Sequence, residues 1–268
     1  MIRSAVTVSL VPEVRGGPFI FWDDLATACH SARALGFDAI EIFPPSADGV
    51  DAEEVRRLLD AEGLALAAVG TGAGWVRHRL SLTAPEAPVR EAACTFIRSI
   101  IDLAGSFGAP AIIGSMQGRH DGVKPELAWL YLQENLAKLS EHAKQYEVPL
   151  LYEPLNRYET NLCNTLQRGG KLLRDIPNAR LLADLFHMNI EEDHSAQAIR
   201  DTGLLIGHVH FVDSNRKPAG CGQMDYQPIA QALAAIGYGG YLSAEAFAWP
   251  DPVAAARVTM KTFQTYFR

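Results

Sequence analysis

Val148-Pro149-Leu150-Leu151-Tyr152-Glu153-Pro154-Leu155-Asn156-Arg157-Tyr158-Glu159-Thr160-Asn161 is the stretch on which the fold reading turns. Its apolar start reads as a buried strand over residues 148–154. Glu153 sits where that strand ends, and Pro154 has no N–H to continue a ladder. Asn156, Arg157, Tyr158, Glu159 and Asn161 follow at once. A buried strand that delivers an acid to its own rim and then opens into polar groups is one way α/β enzymes build a site. The same pattern also suits a surface loop whose acid pairs with a basic neighbour. The rest of the chain separates the two readings.

Outward from this stretch, strand patterns recur at residues 5–11, 38–43, 64–70, 109–115, 179–185, 207–213 and 241–247, which makes eight in all. Helical patterns alternate with them at 22–35, 52–62, 86–107, 124–146, 164–173, 195–202, 226–236 and 252–266. The first three helices run into Gly36, Gly63 and Gly108, residues suited to a helix C-terminal cap. Parallel strands need such crossovers, and eight of them can close on themselves. An open doubly wound sheet usually carries Gly-x-Gly-x-x-Gly after its first strand. Here Pro12-Glu13-Val14-Arg15-Gly16-Gly17-Pro18 stands in that place. The expected fold is a (β/α)8 TIM barrel forming one domain over residues 1–268.

Bulk properties narrow the function. The 268 residues are 48% hydrophobic, enough for a large core, yet no run of about 18 apolar residues predicts a membrane span. The N-terminus alternates like a strand and lacks the apolar centre of a signal peptide, so the expected location is cytoplasmic. Cys29, Cys94, Cys163 and Cys221 are scattered with no Cys-x-x-Cys pair, which argues against a zinc cage or redox pair. Cys29 and Cys94 fall in helical patterns as core packing. A net charge of -7 without a basic block argues against nucleic-acid binding.

Polar residues at the strand ends supply the chemistry. Glu153 comes from the fifth strand, Asp184 and then His187 from the sixth, His208 and His210 from the seventh, and Glu245 from the eighth. Each interrupts an apolar strand, where an unpaired carboxylate is costly. No Arg or Lys on these strands ends offers itself as a partner, so a shared cation is the economical explanation. Glu153, Asp184, His210 and Glu245 are the expected ligands. Three carboxylates and one imidazole suit one divalent ion, Mn2+ first, with Mg2+ and Co2+ as alternatives. His208 lies deeper in the barrel, as a supporting or core residue.

Glu-Pro-Leu-Asn-Arg-Tyr-Glu-Thr-Asn at 153–161, Phe-His-Met-Asn-Ile-Glu-Glu at 186–192 and Gly-His-Val-His-Phe at 207–211 resemble the sugar isomerase/epimerase superfamily of xylose isomerase-like barrels. The likeness is greatest to ketose 3-epimerases of the D-tagatose and D-psicose (allulose) type. Asp213-Ser214-Asn215-Arg216, Gly220-Cys221-Gly222 and Ala244-Glu245 also fit, although Cys221 stands where a larger polar residue is common. The resemblance implies that Glu153 and Glu245 are the catalytic acid–base pair, and that Glu159, His187 and Arg216 bind substrate. It also implies a small sugar as partner and a homo-oligomer, dimer or tetramer.

Inverting C3 of a ketose removes a proton on one face and returns one on the other. Two carboxylates on opposite sides of a cation-bound sugar can do both. Glycine-rich turns at 70–75 and 114–120 read as walls, with Trp75 either covering the sugar or packing under its loop. Glu41 faces the mouth, either orienting substrate or pairing with a neighbour. A sugar or hydroxypyruvate isomerase would use the same cation and glutamates. An endonuclease IV-like phosphodiesterase needs further ligands on early strands, for which His78 and His120 are the available candidates.

Overall fold

Residues 1–22 and 24–268 are described by the computed structural model. The strands are β1 (Arg3–Ser9), β2 (Phe21–Trp22), β3 (Ala39–Phe43), β4 (Ala65–Gly70), β5 (Ala111–Ile113), β6 (Leu150–Tyr152), β7 (Ala179–Asp184), β8 (Ile206–His210) and β9 (Tyr241–Ala244). β1 and β3 to β9 are joined in parallel in chain order. β9 returns to β1 through pairs running from Arg3 with Tyr241 to Val6 with Ala244. The sheet therefore closes as an eight-stranded barrel, as the alternation in the sequence implied. β2 is a short addition beside β1, pairing Val8 with Phe21.

The helices are α1 (Leu25–Leu35), α2 (Ala52–Glu62), α3 (Ala73–His78), α4 (Ala87–Gly105), α5 (Pro125–Ala143), α6 (Leu166–Leu172), α7 (Leu185–Glu191), α8 (Ser195–Thr202), α9 (Tyr226–Ala235) and α10 (Pro252–Phe267). Local chemistry sets their ends. Asp24, Asp51, Asp225 and Asp251 each accept a backbone N–H of the first turn that follows. Gly36 and Gly63 close α1 and α2 in the left-handed conformation, as expected. Gly108 stands three residues beyond α4 instead, in the turn that leads to β5.

Three local expectations need correction. The helix expected over 22–35 begins later, since Trp22 lies in β2 and α1 starts after the Asp24 cap. Asp23, part of that expected helix, lies outside the described residues. The stretch after β4 is not all wall loop, because residues 73–78 form α3. Residues after Asp184 turn directly into α7. Several strands are shorter than their apolar runs, and Glu245 stands one residue beyond β9.

The main apolar core fills the space between sheet and helices. Ala68, Ile112, Leu151 and Leu182 form a separate buried group. Side chains alternate along a strand, so Leu151 shares a face with Glu153 and Leu182 with Asp184. This small layer is the floor inside the barrel, and the carboxylates stand above it. No helix among the described residues is long and apolar enough to cross a membrane.

Candidate active site

The four expected ligands meet at one point. Glu153, Asp184, His210 and Glu245 each offer an atom, and these atoms all lie within 4.8 Å of one another. His210 Nδ1 stands 3.1 Å from Asp184 Oδ2, 3.3 Å from Glu153 Oε1 and 3.5 Å from Glu245 Oε2. Glu153 Oε1 is buried yet has no hydrogen-bond partner. An orphaned anionic oxygen, aimed at an imidazole nitrogen and two further carboxylates, is what a divalent cation would satisfy. Electrostatics agree. Burial opposes a charge on His210, but Glu245, Glu41, Asp184 and Glu153 together hold its pKa well above the ordinary value. A cation held by these four residues would supply the positive charge that this ring otherwise acquires with a proton. Burial pushes the Glu245 carboxyl up to about 8, against the pull of His210 and Arg216.

Local structure explains why each group points inward. Asp184 ends β7 and caps α7, with Oδ1 accepting the N–H groups of Phe186 and His187 at 2.7 and 3.0 Å. Its other oxygen is thereby left facing His210. Gly114 makes room for Glu153, since a Cβ there would stand 2.5 Å from Oε2 of that carboxylate.

Beneath the ring, Glu41 bonds His210 Nε2 at 3.2 Å and His208 Nε2 at 2.8 Å. Both pairs are buried. Glu41 thus holds the far nitrogen of His210 and turns Nδ1 toward the cluster. His208 is the deep supporting residue expected, and Glu41 pairs with neighbours. Among the described residues Glu41, His208 and His210 form the other close group of metal-ligating types, but mutual hydrogen bonds already account for it.

His187, Glu159 and Arg216 come together above the ring. Arg216 donates to Glu245 Oε2 at 2.7 Å and reaches Glu159 Oε1 at 3.4 Å. Its guanidinium also stacks 4.7 Å over the Phe186 ring. The Arg216 backbone has φ 58°, a left-handed conformation uncommon outside glycine. Asp213 holds that turn. Its carbonyl accepts the Arg216 N–H, and its carboxylate accepts the N–H groups of Ser214, Gly220 and Met224. His187 Nε2 lies 3.8 Å from Glu153 Oε1.

Glu41, Glu153, Glu159, His187, His210, Arg216 and Glu245 line one cavity of about 400 Å³, whereas Asp184 and His208 are buried outside its lining. Its opposite wall is apolar: Val14, Pro18, Phe19, Phe43 and Val76. Phe19 and Phe43 pack with ring centroids 4.8 Å apart. Wider cavities of about 540 and 650 Å³ lie elsewhere on the molecule, away from the four-residue cluster.

Other sequence candidates fall outside. Trp75 packs against the core beneath Arg79 and is not part of the cavity wall. Arg157 pairs with Glu191 on the outside, and Tyr158 is exposed. His78 is exposed and His120 half-buried; neither joins a ligand cluster among the described residues. Cys29 and Cys94 are buried, as expected, while Cys221 is half-buried. The sequence places Gly114 only in a glycine-rich wall turn, not beside Glu153, and singles out no role for Asn156. Asn156 had only its place in the polar run as a signal, and Gly114 only its place after a strand.

Known proteins carry the same frame. The family described as "Xylose isomerase-like TIM barrel" matches residues 29–265. D-psicose 3-epimerase of Ruminiclostridium cellulolyticum is 30% identical over 85% of this chain and 82% of its own length. L-ribulose 3-epimerase of Mesorhizobium japonicum is 32% identical over 84% and 76%. A solved structure of an L-ribulose 3-epimerase superposes with a TM-score of 0.81 at 27% identity, covering 99% of this chain and 94% of that one. The chain thus belongs to the xylose isomerase-like TIM-barrel family and, within it, is an isomerase of the ketose 3-epimerase kind.

Proposed function

We propose that this protein inverts C3 of a free ketose through a cis-enediolate, with Glu153 and Glu245 as the acid–base pair. The observation that carries the reading is the placement of two largely buried glutamates in one four-residue cluster, beside Arg216 and His187. Glu153, Asp184, His210 and Glu245 would hold one divalent cation, Mn2+ by preference, with Mg2+ or Co2+ able to replace it. Such a cation, when bound, polarises the sugar carbonyl and stabilises negative charge on its oxygens. One glutamate takes the C3 proton and the other returns a proton from the opposite side. The substrate's C3 configuration decides which acts first.

His187, Glu159 and Arg216 orient the sugar oxygens. Arg216 presents a rigid fork of donors, and its Nε is buried without a partner. A free sugar fits better than a phosphorylated one. Arg216 is the one Lys or Arg in the described lining of the cavity, and Glu245 and Glu159 already engage it. The apolar wall of Val14, Phe19, Phe43 and Val76 would exclude water from the reacting carbons.

The test is proton exchange in D2O, followed by NMR, on a panel of free ketohexoses and ketopentoses with added Mn2+. Deuterium at C3 together with the C3 epimer, both abolished in Glu153→Gln and Glu245→Gln, is the expected result. Deuterium at C1 with an aldose product would move the assignment to an isomerase on the same groups. No exchange with any free ketose would sink the epimerase reading.

A further inference from the structure

Asn156 is buried directly behind two of the proposed substrate contacts. Its orientation is fixed. Oδ1 accepts the Tyr158 N–H at 2.9 Å, so the amide nitrogen must face the other way. That nitrogen has two hydrogens and two acceptors. One is Nδ1 of His187, at 2.7 Å, and the other is Oε1 of Glu159, at 3.1 Å. The Asn156 backbone N–H also points at His187 Nδ1, at 3.3 Å.

We propose that Asn156 is a positioning residue whose amide locks the His187 ring with its proton on Nε2 while tethering Glu159, so that His187 presents an N–H donor to the substrate. Two donors converge on Nδ1, and a proton there would face both. Nitrogen Nδ1 is therefore the acceptor, and the ring proton belongs on Nε2. Carboxylates flank both nitrogens and do not decide between them: Glu153 and Asp184 lie 3.8 and 4.0 Å from Nε2, and Glu159 lies 3.9 Å from Nδ1. Arg216, also a donor, stands 3.4 Å from Nε2, a longer and weaker approach than the 2.7 Å bond at Nδ1. Among the common side chains of this size, an amide alone offers one acceptor and two donors. Aspartate at 156 would keep the acceptor for Tyr158 and lose both donors, placing a second carboxylate against Glu159.

The assignment of the ring proton stands on geometry alone. Its use toward a sugar oxygen rests on the epimerase reading above, and the experiment separates the two. Long-range 1H–15N NMR of the Mg2+-loaded, 15N-labelled protein reports which ring nitrogen carries the proton, with the His187 signals identified by their loss in His187→Gln. The wild type should give the Nε2-protonated pattern at neutral pH. Asn156→Asp should move the proton to Nδ1 or add one there. Asn156→Ala should give averaged signals. In both, kcat on the ketose should fall on the order of 10²-fold, with Mn2+ affinity near that of the wild type. A wild-type ring protonated on Nδ1 would overturn the proposal, even if neither variant folds. So would variants that keep the pure Nε2 pattern. The spectrum needs no substrate, so failure to turn over any ketose would count against the epimerase reading and leave the tautomer result standing.

Discussion

The two sides of the cavity are built by different rules. On the side of β6 to β9, charged groups hold one another, Asp184 with His210 and Arg216 with Glu245, and Glu41 reaches across from β3 to His210. On the side of β1, β3 and β4, Val14, Phe19, Phe43 and Val76 hold by packing, with glycines letting the backbone approach. A Cβ at Gly70 or Gly72 would meet the Phe43 ring at 2.7 or 2.9 Å. Reciprocal hydrogen bonding fixes atoms to a few tenths of an ångström and fails abruptly when one partner goes. Packing fixes a surface, and it degrades gradually. Chemistry that needs fixed atoms belongs on the first side, and shape recognition on the second.

That contrast can be broken by substitution. The largest effect is expected at the proposed acid–base pair. Glu153→Gln or Glu245→Gln should lower kcat by about 10²–10⁴-fold, read from initial rates, with the circular dichroism spectrum unchanged. Gly114→Ala comes next. It adds one methyl beside the Glu153 carboxylate, and a displacement of about 1 Å there should cost roughly 10²-fold in kcat. An active Gly114→Ala enzyme would show that Glu153 needs no fixed seat. Glu41→Gln should weaken Mn2+ binding by about 10–100-fold in calorimetry, because the His210 ring loses its anionic support. On the apolar side, Phe43→Ala should raise KM by about 10-fold, roughly 1.4 kcal/mol, with kcat affected less. A larger loss in kcat than in KM would erase the contrast.

The smallest effect concerns Arg157, which belongs to the polar run after β6 but faces away from the cavity. Burial works against ionising Glu191, yet the hydrogen bonds and charge of Arg157 keep its pKa below the ordinary value. A carboxyl lowered by folding stabilises above its unfolded pKa, and that stability is lost as the pH falls through the folded value. Arg157→Ala should therefore cost at most about 1 kcal/mol at pH 7, since Arg157 is well exposed. Urea denaturation should show this deficit shrinking below the ordinary carboxylate range. Turnover should be unchanged.

Legibility in the sequence followed the same division. Carboxylates and a histidine inside apolar strands announce themselves, because burying them without partners is costly, and the alternation of strands with capped helices announced the barrel. Short elements did not. α3 and α7 are too brief for a helical period to stand out, and β2 has two residues. Asp184 hid the start of α7, since an acid read as a ligand was not also read as a helix cap. Asn156 was visible only as one polar residue among several. Its role depends on His187, 31 positions away, and on an amide orientation fixed by Tyr158.

Gly114 has a consequence for mutational tolerance. Its contribution is unoccupied volume, claimed by an atom from the neighbouring strand's end. In a saturation screen for turnover it should behave like one of the three acids or the imidazole of the cluster, rejecting every replacement, while Phe43 accepts other large apolar residues. Sites of this kind are mapped by where the smallest addition is refused as well as by where a reactive group is lost.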